Sequence, residues 1–177
     1  PKSYHVEYGY SCMGYEIAGG LGVKMARPER DVYVMVGDGS YLMMAQEIVT
    51  AVQERMPLTI LLLDNHGFSS IGGLSASVAW DGLGTPSTVD VASVANAASM
   101  GAHAMRATTR AEIRAAIEEA RGSAGVNVIV IPVDREQRVG GYDCWWDVPV
   151  AETSPLPDVQ RGRKAYEEAR RKVRHYL

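Results

Sequence analysis

Apolar positions along the chain fall into short continuous runs that alternate with longer stretches of helical spacing. Asp31-Val32-Tyr33-Val34-Met35-Val36 is apolar at nearly every position and ends at Gly37-Asp38-Gly39, which suits a strand covered on both faces, as in a parallel sheet. Leu58 to Leu63, opened by Pro57 and closed by Asp64-Asn65-His66-Gly67, predicts a second such strand. Between them Tyr41 to Arg55 has helical spacing, with Leu42, Ala45, Ile48, Val49 and Val52 on one side. Strand, glycine turn, helix and strand make a βαβ unit, whose crossover is almost always right-handed. Upstream, Met13 to Ala26 predicts a buried helix whose glycines (Gly14, Gly19, Gly20, Gly22) allow close approach to other backbone. Helical signals return at Val91 to Met100, a short strand is expected at His103 to Ala107, and Thr109-Arg110-Ala111-Glu112 has the form of a capping box opening another helix. Val126 to Val133 reads as a further buried strand. One α/β layer sandwich accounts for the chain to about Val133.

Three stretches fall outside this pattern. Gly67 to Asp90 turns to Ser, Gly and small residues, which predicts a binding loop or a partly ordered lid. Gly140 to Trp146 is an aromatic loop. Asp158 to Leu177 interleaves Arg161, Arg163, Lys164, Arg170, Arg171, Lys172 and Arg174 with Glu167 and Glu168, for which the plain reading is a solvated helix or a subunit-edge arm.

Composition narrows the function classes. With 177 residues, 46% apolar and 22% charged, the chain is long enough to bury a core without disulfides or a structural metal. Its 18 basic against 21 acidic residues, with no basic stripe before the tail, argue against a nucleic-acid partner. The longest apolar run is far shorter than a bilayer span and the first residues carry no signal-peptide core, so neither membrane insertion nor secretion is expected. Cys12 and Cys144 match no zinc or CxxC spacing, which favours a reducing, cytoplasmic setting.

The chemistry concentrates at Gly37-Asp38-Gly39-Ser40, where a strand passes into a helix. In an open parallel sheet the ligand crevice lies at the carboxyl ends of the strands, and a helix start there offers N–H groups to a phosphate. The dinucleotide fingerprint GxGxxG is broken, because its third position is Leu42 and an acid stands in the middle of the turn. An aspartate facing a diphosphate requires a divalent cation between them. The end of the next strand supplies further oxygen donors for Mg²⁺: the Asn65 amide oxygen and the Gly67 carbonyl.

Gly37-Asp38-Gly39 followed by Asn65 resembles the GDG...N signature of thiamine-diphosphate enzymes, and Ser11-Cys12-Met13-Gly14 resembles the G-x-M-G segment of acetolactate synthases. The resemblance, from about Tyr4 to Val133, implies a three-layer αβα sandwich with a mostly parallel sheet, the thiamine diphosphate-binding fold. It implies cofactor binding by Ser11, Met13, Gly37, Asp38, Gly39, Ser40, Asn65, Gly67 and Phe68, with the Mg²⁺ held by Asp38, Asn65 and Gly67. Met13 would be the wedge beneath the cofactor, and the Ser11 carbonyl the acceptor for its 4'-amino group. His5 to Glu16, Asp64 to Phe68 and Cys144 to Glu152 are more closely similar to the trihydroxycyclohexane-1,2-dione hydrolases of myo-inositol catabolism, an acetolactate synthase-like group. That closer resemblance implies a small polyol-derived dione as substrate, carbon–carbon cleavage with water, and an open-chain deoxyuronic acid as product. On it, residues 1–150 form the diphosphate-binding domain and residues 151–177 a C-terminal charged helical tail.

In this family the glutamate that activates the cofactor lies on a pyrimidine-binding domain, and no catalytic residue is assignable in this chain. The partner is then a pyrimidine-binding domain of the same or a neighbouring chain, within a homo-oligomer. Other readings stay open beside the dione hydrolase: an acetolactate synthase-like carboligase or 2-oxo acid decarboxylase subunit, and a non-catalytic phosphate-binding module. Individual residues also keep plainer readings. Met13 could be core, His5 and His66 structural histidines, Tyr8 and Tyr10 interface packing, and Glu7 and Glu16 surface acids, the reading favoured for Glu16. Equally, His5, Glu7, Tyr8 and Tyr10 could form part of a substrate wall.

Overall fold

A computed structural model of the chain describes residues 3–78, 84–137, 139–140, 145 and 147–174. The elements, in chain order, are α1 (Tyr15–Ala26), β1 (Tyr33–Gly37), α2 (Asp38–Met44), α3 (Glu47–Gln53), β2 (Thr59–Asp64), α4 (Ser69–Ser77), α5 (Ser93–Ser99), β3 (His103–Arg106), α6 (Arg110–Arg121), β4 (Asn127–Pro132) and α7 (Pro157–Arg170). They belong to two compact units, one of residues 1–67 and 87–134, the other of residues 68–86 and 135–177. No helix among the described residues is long and apolar enough to cross a membrane.

The first unit is built on a four-stranded sheet in the order β1-β2-β4-β3, with every pairing parallel. Side chains alternate across the pleat, so each strand feeds two cores. On one face Val34, Val36, Ile60, Leu62, Val128 and Val130 pack with Ile17 and Leu21 of α1, Tyr41 of α2, Ile48 and Ala51 of α3 and Ala97 of α5. On the other, Ile129 and Ile131 with Leu61, Leu63 and Met105 meet Ala116, Ala120, Ile113 and Ile117 of α6. This is the three-layer αβα arrangement with a parallel sheet. Gly20 of α1 lies against β1: a Cβ there would clash with Val34 Cγ2, so the expected close approach of this helix is real. Thr109 and Glu112 form the expected capping box at α6, and the bonds from Thr108 and Thr109 hold the Glu112 carboxyl below its ordinary range.

Three expectations change. β1 is not covered on both faces: it is an edge strand, with Tyr33 40% and Met35 63% exposed while Val34 and Val36 are buried. The single helix expected from Tyr41 to Arg55 is two helices, the first beginning at Asp38. Short-range bonds from Ile48 N–H to the Ala45 carbonyl and from Val49 N–H to the Gln46 carbonyl tighten the chain between them. The inward face is therefore Tyr41, Ala45, Ile48 and Ala51, while Leu42 and Val49 are exposed. The Tyr41 hydroxyl donates to Asn96 Oδ1 at 2.8 Å, and burial pushes it up to about 12.

The second unit holds the third change, since the supposed loop after Gly67 contains the helix α4. Residues 79–83 of that stretch lie outside the described residues, as do residues 138, 141–144 and 146 of the aromatic loop and 175–177 of the tail. α7 is helical as expected but not merely solvated: Val159 and Tyr166 are buried with Val150 against Val78. The Tyr166 hydroxyl donates to Asp147 at 2.8 Å, which raises its pKa, and Arg163 donates to the Val150 carbonyl at 2.9 Å with its guanidinium over the Tyr166 ring.

Candidate functional site

Parallel pairing sets the ends of β1 and β2 side by side, with Gly37 opposite Leu63. Asp38, the first residue of α2, therefore stands beside the chain that leaves β2. Its side chain is buried, 8% exposed. Oδ1 accepts the Asn65 N–H at 3.2 Å and Oδ2 the Gly67 N–H at 2.7 Å. Burying a carboxylate is favourable only where strong hydrogen bonds or a cation compensate for lost water. The loop after β2 is shaped to provide those bonds: His66 takes φ 58° and Gly67 φ 133°. The second value suits glycine alone among ordinary residues, so Gly67 is required by backbone geometry as well as by its placement. The Ser87 N–H, donating to the His66 carbonyl at 2.8 Å, holds the loop from its other side.

Gly37 has a different reason to be glycine. Its backbone is extended, and the nearest atom to an added Cβ is Asn65 Nδ2 at 3.9 Å, an ordinary contact. Among the described residues no atom excludes a side chain there, which is consistent with space kept for a ligand. Gly39 and Ser40 follow in the buried first turn of α2.

The segment before α1 reaches this turn. Glu7 Oε2 accepts the Cys12 N–H at 2.5 Å and Oε1 the Tyr10 N–H at 3.0 Å, and these two bonds hold its carboxyl below the ordinary range. Ser11 takes φ 48° and is exposed, Met13 is half-buried, and Gly14 takes φ 87°. The Gly14 N–H donates to Ser40 Oγ at 2.7 Å, which ties the Met13 segment to the Asp38 turn. His5 has a structural partner, the Tyr15 hydroxyl at 2.9 Å. Glu7 likewise shapes its own loop, while Tyr4, Tyr8 and Tyr10 are exposed.

The structure thus brings Gly37, Asp38, Gly39, Ser40, Asn65 and Gly67 together and ties the Met13 segment to them through Ser40. Phe68 begins the second unit, where its N–H donates to the Thr85 carbonyl at 2.8 Å. Two acids have a larger part than the sequence suggested: Glu16, expected as a surface acid, is half-buried, and Asp64 is buried. Glu16 accepts the Ser40 hydroxyl, and the buried Asp64 lines a cleft with Asp38, His66, Ser87 and Ser93, 3.7 Å from His66 Nδ1. Both contacts join residues distant in sequence or depend on loop geometry that no local pattern reveals.

The donor set fits a hard divalent cation and an anion. Among the described residues no cluster of three His, Cys, Asp or Glu side chains exists, so a cation here would take one carboxylate, the Asn65 amide oxygen and the Gly67 carbonyl. A site with so few protein ligands suits Mg²⁺, which keeps waters and shares phosphate oxygens.

These features place the chain in a known class: it belongs to the family of thiamine pyrophosphate enzymes, C-terminal TPP binding domain, which matches residues 1–131. The domain is one that binds thiamine diphosphate. Among curated proteins it is 40% identical, over 187 aligned residues, to the 3D-(3,5/4)-trihydroxycyclohexane-1,2-dione hydrolases of Bacillus licheniformis and Bacillus subtilis. These alignments cover 99% of this chain and 29% of each relative. The enzyme of the same name from Clostridium perfringens is 40% identical over 191 residues, covering 98% of this chain and 29% of its own length. The chain therefore spans under a third of the length of these relatives. Among solved structures, the thiamine diphosphate-dependent 4-hydroxybenzoylformate decarboxylase of Rhodococcus jostii RHA1 shares the fold, with a TM-score of 0.65 at 21% identity over 69% of this chain and 23% of that one.

Proposed function

We propose that the chain is the diphosphate- and Mg²⁺-binding part of a hydrolase that cleaves a carbon–carbon bond of trihydroxycyclohexane-1,2-dione in inositol catabolism. The observation that carries the cofactor site is the buried Asp38 carboxylate held by the Asn65 and Gly67 N–H groups at the paired ends of β1 and β2. The choice of substrate rests on identity to the dione hydrolases across nearly the whole chain. In this reading residues 1–150 are the cofactor domain and residues 151–177 its charged helical tail. A pyrimidine-binding domain of the same or a neighbouring chain completes the site within a cytoplasmic homo-oligomer.

Each residue then has a task. Asp38, Asn65 and Gly67 hold Mg²⁺ and through it the diphosphate. Gly37, Gly39 and Ser40 line the turn so that backbone can approach the phosphates. With the cofactor bound, Met13 would be the wedge that supports it and the Ser11 carbonyl would accept its amino group, and Phe68, next in sequence to Gly67, would be a further cofactor-binding residue. Bound thiamine diphosphate supplies the carbon nucleophile and the electron sink for the bond-breaking step.

Turnover of the ring dione by the full-length protein, with thiamine diphosphate and Mg²⁺ added, tests the reading against a carboligase or decarboxylase. Expected is loss of the dione and appearance of an open-chain acid, followed by mass spectrometry. Robust pyruvate carboligation or decarboxylation with the dione untouched would overturn the substrate.

A further inference from the structure

We infer that Glu16 is a positioning residue: through the Ser40 hydroxyl it locks the Met13-Gly14 turn onto the start of α2, and so sets the surface on which the ring system of the cofactor rests. The inference deepens the cofactor reading above and rests on it. Ser40 is 7% exposed, and its Oγ lies 2.7 Å from the Gly14 nitrogen and 2.8 Å from each Glu16 carboxylate oxygen. A hydroxyl carries one proton. Since the Gly14 N–H is itself a donor, that proton is directed to Glu16. Ser40 therefore has only its backbone N–H to give a phosphate, and its side chain serves the turn instead.

A second, independent contact fixes the same turn. Gly14 takes φ 87°, and a Cβ on it would come 2.7 Å from Met44 Cγ and 3.2 Å from Met43 Cβ. α2 thus grips Gly14 by packing on one side and by the Ser40 bond on another. Glu16, in the first turn of α1, is also favourably placed against the positive end of that helix. A purely structural part for Glu16, supporting α1 alone, would make no distinction between ligands that touch the Met13 surface and ligands that do not. The relay does make that distinction.

The test is calorimetry on the full-length protein and its Glu16→Ala, Glu16→Gln and Ser40→Ala variants, titrated with Mg²⁺ plus thiamine diphosphate and separately with Mg²⁺ plus inorganic pyrophosphate. Glu16→Ala and Ser40→Ala are expected to weaken thiamine diphosphate about tenfold, the scale of one well-placed hydrogen bond, with pyrophosphate affinity held within about twofold. Glu16→Gln, whose amide oxygen still accepts the Ser40 proton, should keep most of the affinity. Should Glu16→Ala fail to fold, Ser40→Ala and Glu16→Gln carry the same comparison. Equal weakening of both ligands, or unchanged thiamine diphosphate binding in Ser40→Ala, would overturn the relay. Wild-type protein that binds pyrophosphate and not thiamine diphosphate would overturn the relay together with the cofactor reading beneath it, a result separate from any variant effect.

Discussion

The two compact units hold themselves together by different means. In the sheet unit two apolar layers cover the strands, and residues such as Ile60, Leu62 and Val128 are completely inaccessible. Among the described residues of the second unit the apolar cluster is Val150, Val159 and Tyr166, joined by the bonds from Arg163 to the Val150 carbonyl and from Tyr166 to Asp147. It also keeps an open apolar groove between α4 and the 148–159 stretch, lined by Ile71, Leu74, Pro149 and Leu156 among others. A rigid sheet edge is what a metal and diphosphate require, since their ligands must be held to a fraction of an ångström. Among the described residues, the second unit's apolar cluster is much smaller than either layer of the sheet unit.

Substitutions can sharpen the contrast. The largest effect is expected for Leu62→Ala, which empties a completely buried position between β1 and β4 and should cost about 3 kcal/mol in chemical denaturation. A cost below about 1 kcal/mol would mean the sheet core is no better packed than the second unit. Next comes Gly67→Ala. The φ of 133° is closed to alanine, so a loss of about 2 kcal/mol is expected, with Mg²⁺ and diphosphate binding weakened because the N–H bond to Asp38 is disturbed. Smallest is Tyr166→Phe, which removes only the hydroxyl bond to Asp147 and should cost about 1 kcal/mol, read as faster amide exchange along α7. Effects in the reverse order would break the comparison.

The same contrast explains what the sequence revealed. The strands were legible because β2 and β4 are buried on both faces and so are apolar at almost every position. β1 misled on coverage, since its exposed Tyr33 and Met35 are as apolar as its buried valines. The capping box of α6 was readable because Thr109 and Glu112 are three residues apart and act locally. α4 was missed: Ser69–Ser77 is rich in Ser and Gly and buries no residue, so no periodic apolar stripe marks it. At the site, the Asp38 turn was legible as an acid between two glycines at a strand end. Its grip on the Asn65 and Gly67 N–H groups, and the Glu16 contact across 24 positions of sequence, depend on how the chain comes together and leave no local pattern.

Asp38 is the residue on which the cofactor account turns. If Asp38 holds the cation as proposed, removing its carboxylate would take away the charged ligand and leave the diphosphate without its counter-charge at this edge. Calorimetric titration of thiamine diphosphate with Mg²⁺ into the full-length protein and its Asp38→Ala variant measures this directly. The account predicts clear binding by the first and a loss of about a hundredfold or more by the second, on the scale of breaking a buried charge contact. Unchanged affinity in Asp38→Ala would contradict it.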